Sequence, residues 1–130
     1  MERWLGKFLD AIYPLMRFVV GALFACHGAQ KLFGAFGGIG VPLNPMLKAA
    51  GIIEFFGGCL IALGLAAGYA AFISSGEMAF AYFTVHAHAG FWPIVNKGEP
   101  AVLYCFIFLY IASRGSGKFS IDALFRSGKS

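Results

Sequence analysis

Apolar residues fill this chain in long stretches rather than at every second or every fourth position. Four such stretches, residues 13–33, 46–65, 70–92 and 101–113, are separated by short segments rich in Gly and Pro. A helix needs about 20 mostly apolar residues to cross the hydrocarbon of a bilayer, and the first three stretches meet that length. The fourth is short, so its helix is expected to begin within the preceding loop. GAFGGIGVPLNP (34–45) and PIVNKGEP (93–100) carry the composition of loops, whereas only a turn near 66–69 separates the second stretch from the third. The pattern predicts an all-α fold: a single domain, residues 1–130, built as a four-transmembrane-helix bundle.

Composition agrees. Of the 130 residues, 59% are hydrophobic and 12% charged, and the mean hydropathy is +0.76. A soluble domain carries about 25% charged residues. Fifteen Phe alternate with 18 Gly and many Ala, a mixture in which small residues let helices approach and aromatics fill the remaining space. The net charge of +4 is spread along the chain near the expected helix ends, with no basic stripe, so nucleic acid is not expected as a partner. Cys26, Cys59 and Cys105 each sit in an apolar run without CxxC spacing, which argues against a dithiol centre. Residues 1–10 form a short amphipathic lead-in rather than a cleaved signal peptide, and the polar tail from Arg114 has the look of a surface segment. An even number of spans puts both termini on one side. That side holds Arg3, Lys7, Arg114, Lys118, Arg126 and Lys129, against Lys31, Lys48 and Lys97 on the other, so both termini are expected to be cytoplasmic.

Ionisable groups inside a span are expensive, and they mark either a structural partner or a site. Arg17 and Glu77 are expected at similar depth near the cytoplasmic end, with opposite charges, and an interhelical ion pair is predicted between them. A second group is expected towards the outer face: His27, Gln30 and Lys31 from the first span, Glu54 from the second, and His86 from the third. Asn96, Lys97 and Glu99 of the outer loop would cover it. His27 and Lys31 stand four apart on one helix face. Glu77 and His86 are nine apart, which puts them on opposite faces of a straight helix; both can face one axis only if that helix is kinked. His88 is the alternative to His86. No HExxH or CxxC spacing suggests a metal.

RFVVGALFACHGAQKLFG (17–34), GIIEFFGGCLIALGL (51–65), GEMAFAYFTVHAHAGFWPIVNKGEPAVLYCF (76–106) and RGSGKFSID (114–122) together resemble the DoxX family of small four-helix membrane proteins, in order and over most of the chain. Carried over, the family's polar positions are Arg17, His27, Gly28, Lys31, Glu54, His86, Asn96, Gly98 and Glu99. The resemblance implies a place in the cytoplasmic membrane of a bacterial-type cell. Some relatives resemble the membrane subunit of thiosulfate:quinone oxidoreductases, and others associate with redox-defence enzymes. A wider similarity to the vitamin K epoxide reductase bundle implies quinone binding, but the cysteine pair of that enzyme is missing here.

Two classes of function follow. In the first, the chain is the membrane subunit of a quinone-linked oxidoreductase. His, Lys or Gln and a carboxylate at one depth give a quinone its hydrogen bonds and a proton route, and a separate redox subunit carries the electrons. In the second, it is a non-catalytic accessory subunit of a larger membrane complex, respiratory or photosynthetic in type, and the polar layer only locks the bundle. Haem b held by His27 and His86 is disfavoured, because Lys31 and Glu54 would crowd the metal. Transport is disfavoured too, since no internal repeat relates the two halves, although a homo-oligomer could supply a pore. The lipid bilayer is the one partner common to all these readings.

Overall fold

The computed structural model describes residues 1–127 and is helical throughout; Lys129, counted above among the cytoplasmic charges, lies outside the described residues. A short helix α1 (Glu2–Leu5) leads through one 3-10 turn into α2 (Leu9–Phe33). Helix α3 spans Pro45–Leu63 and α4 spans Ala67–Ala81. From Ala81 the chain continues through a π-helical turn (Tyr82–His86) and a 3-10 turn (Ala87–Ala89) to the short α5 (Pro93–Asn96). Helix α6 (Glu99–Arg114) and a terminal α7 (Ile121–Ser127) complete the order.

Local chemistry sets these boundaries. Asn44 caps α3 by accepting from the Leu47 amide at 2.8 Å, with Pro45 in the first turn. That helix ends at Gly64, whose φ of 72° is left-handed. The Gly64 and Leu65 amides turn back to the Ile61 and Leu60 carbonyls, a glycine stop that satisfies the last carbonyls. Because this turn is so tight, α4 starts at Ala67, three residues before the apolar stretch predicts. Helix α6 starts at Glu99, inside the predicted loop as expected, with Pro100 in its first turn.

Helix α2 lies along α3, and α4 packs against both α3 and α6. The first contact is backbone to backbone: a methyl on Gly21 would stand 2.5 Å from the Ala62 nitrogen and 2.7 Å from the Gly58 oxygen. A methyl on Gly57 would stand 2.8 Å from Ser74 Oγ of α4. Helices α2 and α6 are joined by large side chains instead, with the Phe24 and Phe108 rings 4.6 Å apart and Tyr104 stacked on Phe108.

Beside an apolar core that includes Phe24, Ile61, Phe108 and Ile111, the bundle buries polar groups and exposes aromatic ones. Arg17, Glu54, Ser74 and Asn96 are buried, whereas Phe18, Phe56, Phe72, Phe80, Phe83 and Phe106 are each more than half exposed. Water does not tolerate so much aromatic surface, and lipid does. Two helices are long and apolar enough to cross a membrane: the continuous run Glu2–Phe33 and α3, with mean hydropathies of 1.6 and 1.8. Helices α4 and α6, with 15 and 16 residues, are each short of a straight crossing on their own.

Both termini sit at one end of the bundle. Tyr13 Oη donates to the Gly115 carbonyl at 2.6 Å, and Lys118 Nζ meets Asp10 at 2.9 Å. The segment after α6 folds over the α3–α4 turn, where Asp122 Oδ2 accepts from the Ala66 amide and from Ser116 Oγ. Ser116 Oγ in turn accepts from the Ala67 amide, so the tail caps the start of α4.

Candidate functional site

Towards the other end, α2, α3, α4, the π turn and α6 surround a cavity of about 470 Å³. Much of its wall is apolar, from Phe24, Met46, Leu47, Ile53, Ile73, Met78, Phe80 and Val85. Its polar lining comes from five elements: His27 and Lys31 of α2, Glu54 of α3, Glu77 of α4, Thr84 and His86 of the π turn, and Tyr104 of α6. An apolar cleft with a few convergent polar groups is the usual form of a small-molecule site.

Lys31 and Glu54 anchor the polar wall. Lys31 Nζ lies 2.6 Å from Glu54 Oε1, and the two side chains are 19% and 3% exposed. Glycines make this pair close. Gly28 of α2 abuts the Phe55 backbone of α3, where a methyl would come within 2.6 Å of the Phe55 Cα, and Gly51 faces the Lys31 Cβ. Glu77 of α4 lines the same cavity wall as Glu54, and its Oε2 is buried without a hydrogen-bond partner among the described residues.

The predicted Arg17–Glu77 ion pair is not formed, and this corrects the sequence expectation. Arg17 is 2% exposed, and its guanidinium binds carbonyls: Nε to Ile61 at 3.0 Å, Nη2 to Phe119 at 2.9 Å, and Nη1 to Ser116. The reason is the early start of α4. Ten residues of helix separate Ala67 from Glu77, a rise of roughly 15 Å, so Glu77 stands level with Glu54 while Arg17 stands level with the end of α3.

His86 and Glu77 both line the cavity despite being nine residues apart. The π turn provides the kink that this requires: its wider winding lags the rotation of an α-helix, and such turns recur at functional sites. His86 Nδ1 meets the Asn96 carbonyl at 3.3 Å. A carbonyl can only accept, so Nδ1 carries the proton in the neutral ring and Nε2 is its free acceptor. His88, the alternative, is exposed and does not line the cavity.

Of the remaining candidates, Gln30 is half-buried on α2 away from the cavity. Asn96 is buried and holds the outer loop: its Nδ2 donates to Tyr82 Oη at 3.1 Å and to the Gly90 carbonyl at 2.8 Å, and its Oδ1 accepts from the Gly98 amide at 2.8 Å. Glu99 is exposed in the first turn of α6, on a separate shallow groove. His27 is at the mouth, exposed, with its ring edge-on to Tyr104 at 6.1 Å. Sequence reasoning missed Tyr104 and Thr84 as lining groups and gave Glu77 a different partner. A polar Tyr in the apolar stretch 101–113 was the one available signal for the first of these.

Helices that bury charge and expose aromatic surface, around a cavity with one polar wall, define a small helical integral membrane protein. The DoxX family profile matches residues 13–87, more than half of the chain, and the protein belongs to that family. An uncharacterized protein of Haemophilus influenzae is 42% identical, with the match covering 93% of this chain and 96% of that one. No solved structure matches.

Proposed function

We propose that this protein is the membrane subunit of a quinone-linked redox system, and that its cavity receives a flat, apolar, carbonyl-bearing ligand of quinone type. The observation that carries this reading is the cavity itself, with aromatic and aliphatic walls and with Lys31, Glu54, Glu77, His86 and Tyr104 on its polar side. Lys31 and Tyr104 supply donors for a carbonyl oxygen, and the carboxyls and His86 supply proton exchange. In this reading a separate redox subunit carries the electrons to and from the bound ligand.

In this reading the chain crosses a bacterial cytoplasmic membrane four times. Helix α4 completes its crossing through the π and 3-10 turns, and α6 completes its own together with the loop before it. The termini, which share one end of the bundle, face the cytoplasm with Arg3, Lys7, Arg114, Lys118 and Arg126.

The test is the melting midpoint of the detergent-purified protein with and without a panel of short-chain quinones, repeated for His86→Ala and Glu54→Ala. A quinone-dependent rise that both substitutions abolish supports the site. Absence of any rise, with variants that only melt earlier, rejects it. The polar wall would then be a lock within the bundle, and the protein an accessory subunit that docks through its exposed aromatic faces.

A further inference from the structure

The cavity wall carries two carboxyl groups and one ammonium, and this combination has a charge problem. Glu54 Oε1 is bound to Lys31 Nζ at 2.6 Å, and Glu77 Oε2, on the same wall, is buried with no donor among the described residues. Two ionised carboxylates are both acceptors and cannot hydrogen-bond to one another. Beside a single ammonium they also leave one negative charge uncompensated in an apolar wall, which proteins avoid. One proton between the two carboxyls removes both difficulties: it supplies the missing hydrogen bond, and the three groups become neutral together.

We infer that Glu54 and Glu77 share one exchangeable proton, held against Lys31, and that this pair is the proton-donating site of the cavity. The inference depends on the quinone reading for its use and not for the proton itself. A carbonyl-bearing ligand in the cavity would find a carboxylic acid on the wall as a hydrogen-bond or proton donor. The groups that face the pair are Lys31 and His27 from α2, His86 from the π turn and Tyr104 from α6. Of these Lys31 is the nearest cation, and its bond to Glu54 leaves Glu77 as the acid. Pairs of carboxyls forced to share a proton in this way recur where proteins do acid–base work.

Infrared spectroscopy of the purified protein at neutral pH, with no quinone present, tests the proton directly. The sequence has only six acidic side chains: Glu2, Asp10, Glu54, Glu77, Glu99 and Asp122. Glu2, Asp10 and Glu99 are exposed, and Asp122 accepts two hydrogen bonds as a carboxylate. One carboxylic-acid carbonyl band is therefore expected. It should shift in heavy water, move on 13C-glutamate labelling, and disappear in Glu77→Gln. The labelling needs no substitution, so the test stands even if the variant fails to fold. Absence of an acid band, or a band that ignores the glutamate label, overturns the inference. Because no ligand is present, that result leaves the quinone reading to the melting experiment, and a failed melting experiment leaves the proton untouched.

Discussion

Arg17 and Phe119 close the end of the bundle that holds both termini: Nη2 of the guanidinium donates to the Phe119 carbonyl over 2.9 Å, across 102 residues of sequence. The same guanidinium holds Ile61 at the end of α3 and Ser116 in the tail. One buried cation thus ties α2, α3 and the C-terminal segment together through backbone carbonyls, with no carboxylate in salt-bridge range among the described residues. Hydrogen bonds from charged donors contribute about 1.5–3 kcal/mol each. Arg17→Ala is predicted to destabilise the protein by about 3 kcal/mol and to release the segment after Arg114. Limited trypsin digestion should then cut at Lys118 and Arg126 well before the bundle unfolds. Wild-type resistance at those sites in the variant would sink the idea. The neighbouring Lys118–Asp10 pair is about 70% exposed on both sides, and Lys118→Ala should change stability by less than about 1 kcal/mol.

Two glycines predict opposite outcomes. Gly58 of α3 faces α2, where a methyl would stand 2.8 Å from the Ala25 Cα, and that obstacle is backbone rather than a flexible side chain. Gly58→Ala must push the helices apart, a cost of about 1–3 kcal/mol. Gly76, within α4, has nothing within 4 Å of a would-be Cβ. Gly76→Ala should stabilise by roughly 0.5–1 kcal/mol, because alanine favours the helix. Unfolding titrations in mixed micelles measure both, and like signs for the two substitutions would contradict the packing described here.

Much of this architecture was legible in the sequence, and the failures have physical causes. Apolar runs located α2, α3, α4 and α6, because burial in lipid demands them, and Gly34–Pro45 was legible as a loop; the stop at Gly64 was not, because its glycine stood inside the second apolar stretch. Lys31, Glu54 and His86 were brought together as expected, since depth can be counted from helix rise. Depth failed for Glu77, whose helix starts at Ala67 rather than Ala70, and with it the Arg17 pairing. The partners of Arg17 are carbonyls, which every residue carries, so no pattern of side chains announces them. The π turn left no mark either: Tyr82–His86 has the composition of an ordinary apolar helix. Asn96 and Glu99, placed by sequence over the site, instead shape the loop and the first turn of α6.

Asn96 acts on the site without lining it. Its side chain fixes Tyr82, Gly90 and Gly98, and its carbonyl meets His86 Nδ1. Asn96→Ala leaves a buried hydroxyl and two loop groups without that partner, a loss of about 1–3 kcal/mol. It also frees the His86 ring from the loop. If His86 is held for ligand binding, the quinone-dependent rise in melting midpoint should shrink in Asn96→Ala by more than the loss of stability alone requires. An undiminished rise would make Asn96 a purely structural residue.

Lys31 and Glu54 should behave as a coupled unit. Lys31→Met leaves the Glu54 carboxyl buried beside that of Glu77 with no cation, and breaking one side of such a pair costs about 3–5 kcal/mol. Glu54→Gln alone leaves the Lys31 ammonium half-buried with Glu77 as its nearest anion, a smaller loss, because Lys31 can extend towards the cavity mouth. Replacing both, Lys31→Met with Glu54→Gln, removes the charges together, and a non-additive recovery of about 1–3 kcal/mol is expected in the double-mutant cycle. Ligand binding separates stability from function in the same three variants. If the pair orients a carbonyl ligand, the double variant regains its melting midpoint but not the quinone-dependent rise. A double variant that recovers both would reduce Lys31 and Glu54 to a lock between α2 and α3.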